Sequence, residues 1–189
     1  YGVIAPDSYT TRDIRMNCAT DMGLHWGFRR GEDAYSALDY VIERKLAIPN
    51  KVYLVGYSNG GLATLVAMSN KMKAHPNKFA IGFALATYCG FAPIKSDTYY
   101  NPVVLVSGDA DDLTPVRYCE ELVRKKHDAP VQLFALKGAN HGFMFDRAAG
   151  PGDKGVFYSY DARATKFTIE TIRCRPECGW NSVARSPVT

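Results

Sequence analysis

The stretch Lys51-Val52-Tyr53-Leu54-Val55-Gly56-Tyr57-Ser58-Asn59-Gly60-Gly61 carries the strongest structural signal in this chain. A β-branched run ends in the pattern Gly-x-Ser-x-Gly, and apolar residues at helical spacing follow it. Such a sequence predicts a sharp turn from a strand into a helix, in which the residues two positions from the central serine must lack bulk. Gly56 and Gly60 meet this requirement, so Ser58 is a candidate nucleophile. The alternative is a glycine-rich turn whose serine has no chemical role.

The composition is that of one globular domain. The chain has 189 residues, of which 47% are hydrophobic and 22% charged, and this is enough to bury a single sizeable core. No apolar run approaches the ~20 residues of a membrane helix, so no membrane partner is predicted. The net charge of +4 is spread along the sequence without a basic stripe, so a nucleic-acid partner is not predicted either. We divide the chain into a domain over residues 1–173 and an irregular, polar tail over residues 174–189.

Strand and helix patterns alternate along the chain, which predicts an α/β fold: a mostly parallel sheet with helices on both faces. The predicted strands are Gly2–Ala5, Val52–Val55, Phe79–Thr87, Val103–Val106 and Val131–Leu136. The predicted helices run from about Glu32 to Ala47, from the serine turn to about His75, from about Pro115 to Lys126, and from about Asp161 to Arg173. Loops are predicted over residues 8–30 and 88–102, with a glycine-rich stretch from Ala148 to Gly155.

Three polar groups with complementary chemistry follow three of these strands, where the reactive groups of parallel sheets gather. They are Ser58, an acidic cluster and His141. A serine hydroxyl needs a base to activate it, and the base needs an anion at its far nitrogen. We choose Asp111 as this anion because it lies at the apex of its turn, and Asp112 is the second choice. The order serine, aspartate, histidine is that of an α/β-hydrolase.

Each of these signals has a plainer interpretation when taken alone. The acidic loop could bind calcium, although the ligand spacing of an EF-type loop is absent. A lone His141 would more often be a surface or capping residue. The combination in the required order, each member at a strand end, favours the catalytic interpretation.

At this point the sequence resembles the dienelactone hydrolase family of α/β-hydrolases. The resemblance rests on Val3-Ile4-Ala5-Pro6-Asp7-Ser8, Arg30-x-x-Asp33, Gly56-Tyr57-Ser58-Asn59-Gly60-Gly61, Gly108-Asp109-Ala110-Asp111-Asp112-Leu113-Thr114-Pro115 and His141-Gly142-Phe143. It implies an α/β-hydrolase fold with Ser58, Asp111 and His141 as catalytic residues and the Asn59 backbone N–H as an oxyanion donor. No cofactor and no metal are implied. Because the best known members use cysteine where this chain has Ser58, we expect ordinary carboxylic esters as small-molecule substrates instead of dienelactones.

The resemblance also implies that the fold is N-terminally incomplete. The early strands, including the one whose loop gives a second oxyanion N–H, would lie upstream of Tyr1. We therefore expect an N-terminal segment or a second chain to complete the sheet. Two other functions stay open: a hydrolase-fold binding protein with impaired catalysis, and a serine peptidase of the prolyl oligopeptidase type.

The five cysteines allow at most two bridges and one free thiol. Cys174 and Cys178 make a poor zinc half-site, since no second pair and no nearby histidine completes four ligands. The resemblance suggests that Cys89 and Cys119 are neighbours at the ends of adjacent strands. If they are bridged, the compartment is oxidising, which favours a secreted or periplasmic location.

Aromatic residues are frequent in the three loops that we expect around the pocket, which are residues 9–30, 88–102 and 143–157. They suggest that the substrate has an apolar or aromatic acyl or alcohol group, but they would serve equally well to cover the core. These residues are Trp26, Phe28, Phe91, Tyr99, Tyr100 and Phe143.

Overall fold

A four-stranded parallel sheet with helices around it organises the chain. The structure is a computed structural model that describes residues 1–14, 23–146, 149–152 and 155–178. The sheet strands are β1 (Tyr53–Tyr57), β2 (Ile81–Leu85), β3 (Val103–Gly108) and β4 (Val131–Leu136), and a two-stranded hairpin adds β5 (Gly150–Pro151) and β6 (Phe157–Tyr158). The helices are α1 (Gly23–Glu43), α2 (Asn59–Met68), α3 (Ala92–Ser96), α4 (Arg117–Val123) and α5 (Ala162–Cys178), with 3₁₀ turns at Thr10–Arg12 and Asn70–Met72.

The order of the strands in the sheet is the same as their order in the sequence, β1-β2-β3-β4, and all three pairings are parallel. Parallel neighbours require crossover connections, and a helix lies in each of them. In the register, Tyr57 stands opposite Leu85, Leu85 opposite Val106, and Val106 opposite Phe134. The carboxyl ends of the four strands are therefore aligned at one edge of the sheet.

Both faces of the sheet are covered, as the alternation along β3 shows. Val103 and Leu105 belong to a core cluster shared with α1, α2 and α4, whereas Val104 and Val106 belong to a second cluster that includes Ala164 of α5. Successive side chains of a strand point to opposite faces, so the two clusters lie on opposite sides of the sheet. The predicted α/β fold with helices on both faces is confirmed.

The strand β1 lies at the edge of this sheet, because β2 is its only strand partner in the described part of the chain. Val55, in the middle of β1, is 47% exposed. The prediction of a strand at Gly2–Ala5 is wrong: these residues have no strand structure and are exposed. An apolar run is the pattern of a buried strand, but a strand also needs a pairing partner, and none of the described strands pairs with this segment.

The first long helix begins earlier than predicted. α1 starts at Gly23 and ends at Glu43, whereas the sequence predicted a loop up to residue 30; residues 15–22 of that loop lie outside the described residues. Two glycines, of which Gly27 lies in the predicted loop, allow α1 to pack closely on α2. A Cβ at Gly27 would lie 2.7 Å from Leu62, and one at Gly31 would lie 2.9 Å from Val66. None of the helices in the described ranges is long and apolar enough to cross a membrane.

The later elements also differ from the prediction. The loop over residues 88–102 contains the short helix α3, and part of the glycine-rich stretch forms the hairpin of β5 and β6. α5 runs to Cys178, five residues into the segment that we predicted as irregular. Residues 179–189 lie outside the described residues, and the proposed division of the chain into a domain and a tail stays a prediction.

Two disulfides cross-link the described chain. Cys89, after β2, is bonded to Cys119 in α4, and both cysteines are fully buried. This bridge, which the resemblance suggested, closes a loop of 30 residues and therefore restricts the unfolded chain. The second disulfide joins Cys174 and Cys178 within α5, so these residues are a cysteine pair and not half of a zinc site. Cys18 lies outside the described residues.

We predict that the protein, denatured without a reductant, exposes at most one free thiol, because four of the five cysteines are bonded in pairs. A thiol-reactive dye on protein purified under oxidising conditions measures this number, and the same sample after reduction gives the total as an internal control. Five free thiols before reduction would contradict both disulfides.

Candidate active site

The turn between β1 and α2 holds Ser58 in an unusual backbone conformation. Its φ is 54° and its ψ is −116°, a combination that is strained for a residue with a side chain. The turn is tight because a Cβ at Gly56 would lie only 2.0 Å from the carbonyl oxygen of Gly60, so no larger residue fits there. The Ser58 N–H donates to the carbonyl of Leu85 at 2.8 Å. This bond fixes the turn to the end of β2.

Ser58, His141 and Asp111 lie together in one hydrogen-bonded row. The distance from Ser58 Oγ to His141 Nε2 is 2.9 Å, and that from His141 Nδ1 to Asp111 Oδ2 is 2.8 Å. With a proton on Nδ1, the imidazole donates to the carboxylate and its Nε2 accepts from the serine hydroxyl. The Asp111 side chain is 0% exposed and that of His141 4%, whereas Ser58 is only partly buried. The row is therefore accessible to solvent at its Ser58 end.

Hydrogen bonds from its own turn hold Asp111 as a carboxylate. The backbone N–H groups of Leu113 and Thr114 donate to Oδ1 at 2.9 and 2.8 Å, and the Thr114 hydroxyl lies 2.6 Å from Oδ2. Burial alone would raise the pKa of Asp111, but the hydrogen bonds from His141 and Thr114 outweigh burial and lower it. Asp111 is thus an anion at neutral pH.

The two other acidic residues of the turn do not form this contact. Asp109 accepts from the Gly138 N–H at 2.6 Å and is exposed, so it ties the turn to the end of β4. Asp112 is also exposed. Of the three carboxylates, the structure brings Asp111 to His141.

Several residues that the sequence did not single out hold the histidine loop. The Tyr57 hydroxyl donates to the His141 carbonyl at 2.5 Å. The Asn140 Oδ1 accepts from the N–H groups of Gly142 and Ser159 at 2.9 and 3.0 Å. Tyr158 in β6 meets the imidazole edge-on, with ring centroids 5.9 Å apart. The hairpin of β5 and β6 therefore braces His141, and its contacts are non-local, so no sequence pattern marks them.

Asn59, the predicted oxyanion donor, is the first residue of α2. Its backbone N–H is one of the N-terminal groups that make this end of a helix favourable for negative charge. The Asn59 Oδ1 accepts from Arg30 Nη1 at 2.8 Å, and the Arg30 guanidinium lies 5.3 Å from the centre of the Tyr9 ring. The helix α1 thus holds the residue next to Ser58.

The aromatic residues expected around a pocket divide into two groups. Tyr99 and Phe143 are fully buried and belong to the core, which agrees with the alternative that the sequence left open for them. Phe28, Phe91 and Tyr100 are partly buried and pack against one core cluster. The side chain of Trp26 lies outside the described residues.

A parallel sheet with a sharp strand-to-helix turn at a serine, followed by an aspartate and a histidine at later strand ends, defines an α/β-hydrolase fold. The family comparison is more specific. Residues 1–172 match the dienelactone hydrolase family, and the chain belongs to that family. A comparison with curated protein sequences gave no significant match.

Solved structures with this fold include a dienelactone hydrolase-like promiscuous phosphotriesterase from metagenomic libraries. It is 21% identical, with a TM-score of 0.57, over 76% of this chain and 59% of the other. The Arabidopsis thaliana protein SOBER1 is 17% identical, with a TM-score of 0.51, over 78% and 64%. A puromycin hydrolase is 17% identical, with a TM-score of 0.51, over 62% and 22%. The chain therefore spans less than two thirds of each of these proteins, and the likeness establishes the fold.

We predict that Thr114→Val destabilises the fold by about 1–3 kcal/mol at neutral pH, since a hydrogen bond to a buried charge is lost. The low folded-state pKa of Asp111 stabilises the protein above the ordinary pKa of an aspartate, and this contribution disappears as the pH falls through the folded-state pKa. Without the Thr114 hydroxyl, the folded-state pKa of Asp111 is lowered less. The stability difference between wild type and variant should therefore shrink below about pH 4.

Urea unfolding between neutral and acidic pH measures this difference. Thr114→Ser is the matched control because it keeps the hydroxyl, and it should show little pH-dependent change. A difference between wild type and Thr114→Val that is constant with pH would mean that Thr114 acts through packing and not on the Asp111 charge.

Proposed function

We propose that this protein is a serine hydrolase that cleaves carboxylic esters through an acyl-enzyme intermediate. Membership of the dienelactone hydrolase family supports hydrolase chemistry. The observation that carries the assignment of roles is the continuous row from Ser58 Oγ through His141 to Asp111. In this row Ser58 is the nucleophile, His141 the general base and Asp111 the group that orients and stabilises the imidazolium.

In the first half of the reaction, the Ser58 oxygen attacks the ester carbonyl while its proton moves to His141 Nε2. A bond forms between Ser58 Oγ and the carbonyl carbon, and the carbonyl π electrons move to oxygen. The backbone N–H of Asn59 donates to this oxyanion. When the tetrahedral intermediate collapses, the bond to the alkoxy oxygen breaks. The carbonyl re-forms, and the imidazolium protonates the departing alkoxide oxygen, which leaves as the alcohol.

In the second half, water attacks the acyl group and His141 takes a proton from it. When the second tetrahedral intermediate collapses, the bond between Ser58 Oγ and the acyl carbon breaks, the acid leaves, and Ser58 Oγ takes its proton from the imidazolium. Asp111 keeps its negative charge throughout, which agrees with its lowered pKa. The raised pKa of Tyr57, caused by burial and by the nearby Asp111 charge, keeps this phenol neutral as it holds the His141 carbonyl.

The open edge of the sheet supports a proposal about partners. Val55 of β1 is 47% exposed next to the elbow, which is the turn from β1 into α2 at Ser58, and a free strand edge favours pairing with another strand. We propose that an N-terminal segment or a second chain pairs with β1 and supplies the second oxyanion donor.

The two disulfides support the proposal of an oxidising, secreted or periplasmic location.

We predict that Ser58→Ala abolishes hydrolysis of 4-nitrophenyl acetate, because the variant has no atom that can form the acyl bond. Release of 4-nitrophenolate measures the rate. Ser36→Ala is the matched control: Ser36 is exposed on α1 and its hydroxyl contacts only the Glu32 carbonyl among the bonds described, so its rate should equal that of wild type. A Ser58→Ala variant that turns over at the wild-type rate would contradict the assignment. Turnover of a peptide anilide but not of esters would favour the alternative function, a serine peptidase of the prolyl oligopeptidase type.

A further inference from the structure

A cluster of aromatic side chains lies outside the row of Ser58, His141 and Asp111. The ring centroids of Tyr88 and Phe91 are 4.8 Å apart and those of Tyr88 and Tyr118 are 5.0 Å apart, both edge-to-face. Phe91 and Tyr118 pack against one core cluster, yet all three rings remain partly exposed. The cluster therefore offers aromatic surface to a ligand.

The chain connects this cluster directly to the elbow. The Leu85 carbonyl accepts the Ser58 N–H, and Tyr88 follows Leu85 by three residues. Because a residue spans at most ~3.6 Å of extended chain, the Cα atoms of Leu85 and Tyr88 are within about 11 Å of each other. The Thr114 hydroxyl lies 3.1 Å from the Ala86 carbonyl oxygen. The segment that leads to Tyr88 thus runs between the serine turn and the aspartate turn.

A disulfide fixes the cluster in place. Tyr88 immediately precedes Cys89, and Tyr118 immediately precedes Cys119; the bridge between these cysteines holds their Cα atoms 5.0 Å apart. Two aromatic side chains from distant parts of the sequence are therefore held beside each other before any ligand arrives. A preformed surface of this kind loses little conformational entropy on binding.

Two cations lie beside the Tyr118 ring. The Arg117 guanidinium lies 4.5 Å from the ring centre and the Lys95 ammonium 5.1 Å from it. Arg117 is exposed and donates to the Tyr118 hydroxyl at 3.1 Å, whereas Lys95 also pairs with Glu121 at 2.9 Å. Hydrogen bonds from Arg117 and Tyr88 lower the pKa of the Tyr118 phenol. Arg117 is the cation best placed to receive an anionic ligand group.

We propose that Tyr88, Phe91, Tyr118, Lys95 and Arg117 form the acyl subsite, and that it selects esters of aromatic acids that carry a second carboxylate. The aromatic ring of the acid would pack on the tyrosine and phenylalanine rings, and its free carboxylate would pair with Arg117. This inference rests on the proposed ester hydrolysis. The bonds formed and broken at Ser58 are unchanged, and the product acid is an aromatic dicarboxylate.

The test compares two esters that differ only in the second carboxylate, 4-nitrophenyl 4-carboxybenzoate and 4-nitrophenyl benzoate. We expect the wild-type protein to prefer the carboxylated ester in kcat/KM at low salt, and this preference to decrease as salt screens the charges. In Arg117→Gln the preference should fall by about tenfold, since a charge-assisted pair with the ligand is lost. A ratio measured within one variant cancels any general loss of activity.

Arg124→Gln is the matched control, because Arg124 is a well-exposed cation just after the end of α4 that pairs with Glu120; it should keep the wild-type ratio. Calorimetric binding of terephthalate gives a readout without turnover, and Arg117→Gln should bind it about tenfold more weakly. No preference and no terephthalate binding in wild type, or the same values in Arg117→Gln, would overturn the subsite. Ester turnover that depends on Ser58 but shows no such preference would overturn the subsite alone, whereas terephthalate binding without Ser58-dependent turnover would count against the proposed function.

Discussion

The candidate active site depends on the close approach of β1 to the start of α2. Gly56 packs against the Gly60 carbonyl so tightly that no side chain fits between them. Because the backbone must turn within this space, Ser58 is held at a positive φ with its hydroxyl beyond the strand end. The Ser58 N–H is bonded to the neighbouring strand β2. Strain at one residue is thus maintained by the packing of the two elements around it.

The parallel register places the other two residues of the row. The aspartate turn follows β3 and the histidine loop follows β4, and these strand ends lie at the same edge of the sheet as Ser58. Hydrogen bonds to these loops then fix them in place. Thr114 and two backbone amides orient Asp111, while Tyr57 fixes the His141 carbonyl. The sheet provides the approximate position of each residue, and the loops provide the final hydrogen-bond geometry.

The predictions from the sequence are correct for features that a short stretch of residues determines. β4 was predicted at the observed bounds, Val131–Leu136, because a short apolar run between turn signals has one simple interpretation. Asp111 was chosen over its acidic neighbours from its place in the turn, and it is the one that contacts His141. The expected bridge between Cys89 and Cys119 is present, although it was suggested by the family resemblance and not by the pattern.

The failures occur where distant contacts decide the structure. Gly2–Ala5 has the apolar pattern of a strand but pairs with none of the strands in the described part of the chain. The start of α1 was missed because Gly27 was interpreted as a loop residue, whereas its small size allows α1 to pack against Leu62 of α2. The hairpin that braces His141 comes from a glycine-rich stretch without periodicity. In none of these cases does the local pattern of residues by itself determine the conformation.

In the proposed mechanism, the row from Asp111 through His141 makes Ser58 a reactive nucleophile. Peptide mapping by mass spectrometry after treatment with a fluorophosphonate measures this reactivity, because only an activated serine reacts with this reagent. We expect a single phosphonyl adduct on the peptide that contains Ser58, and its loss in His141→Ala. An adduct that forms equally well without His141, or a folded wild-type protein that is not labelled at Ser58, would contradict this role of the row.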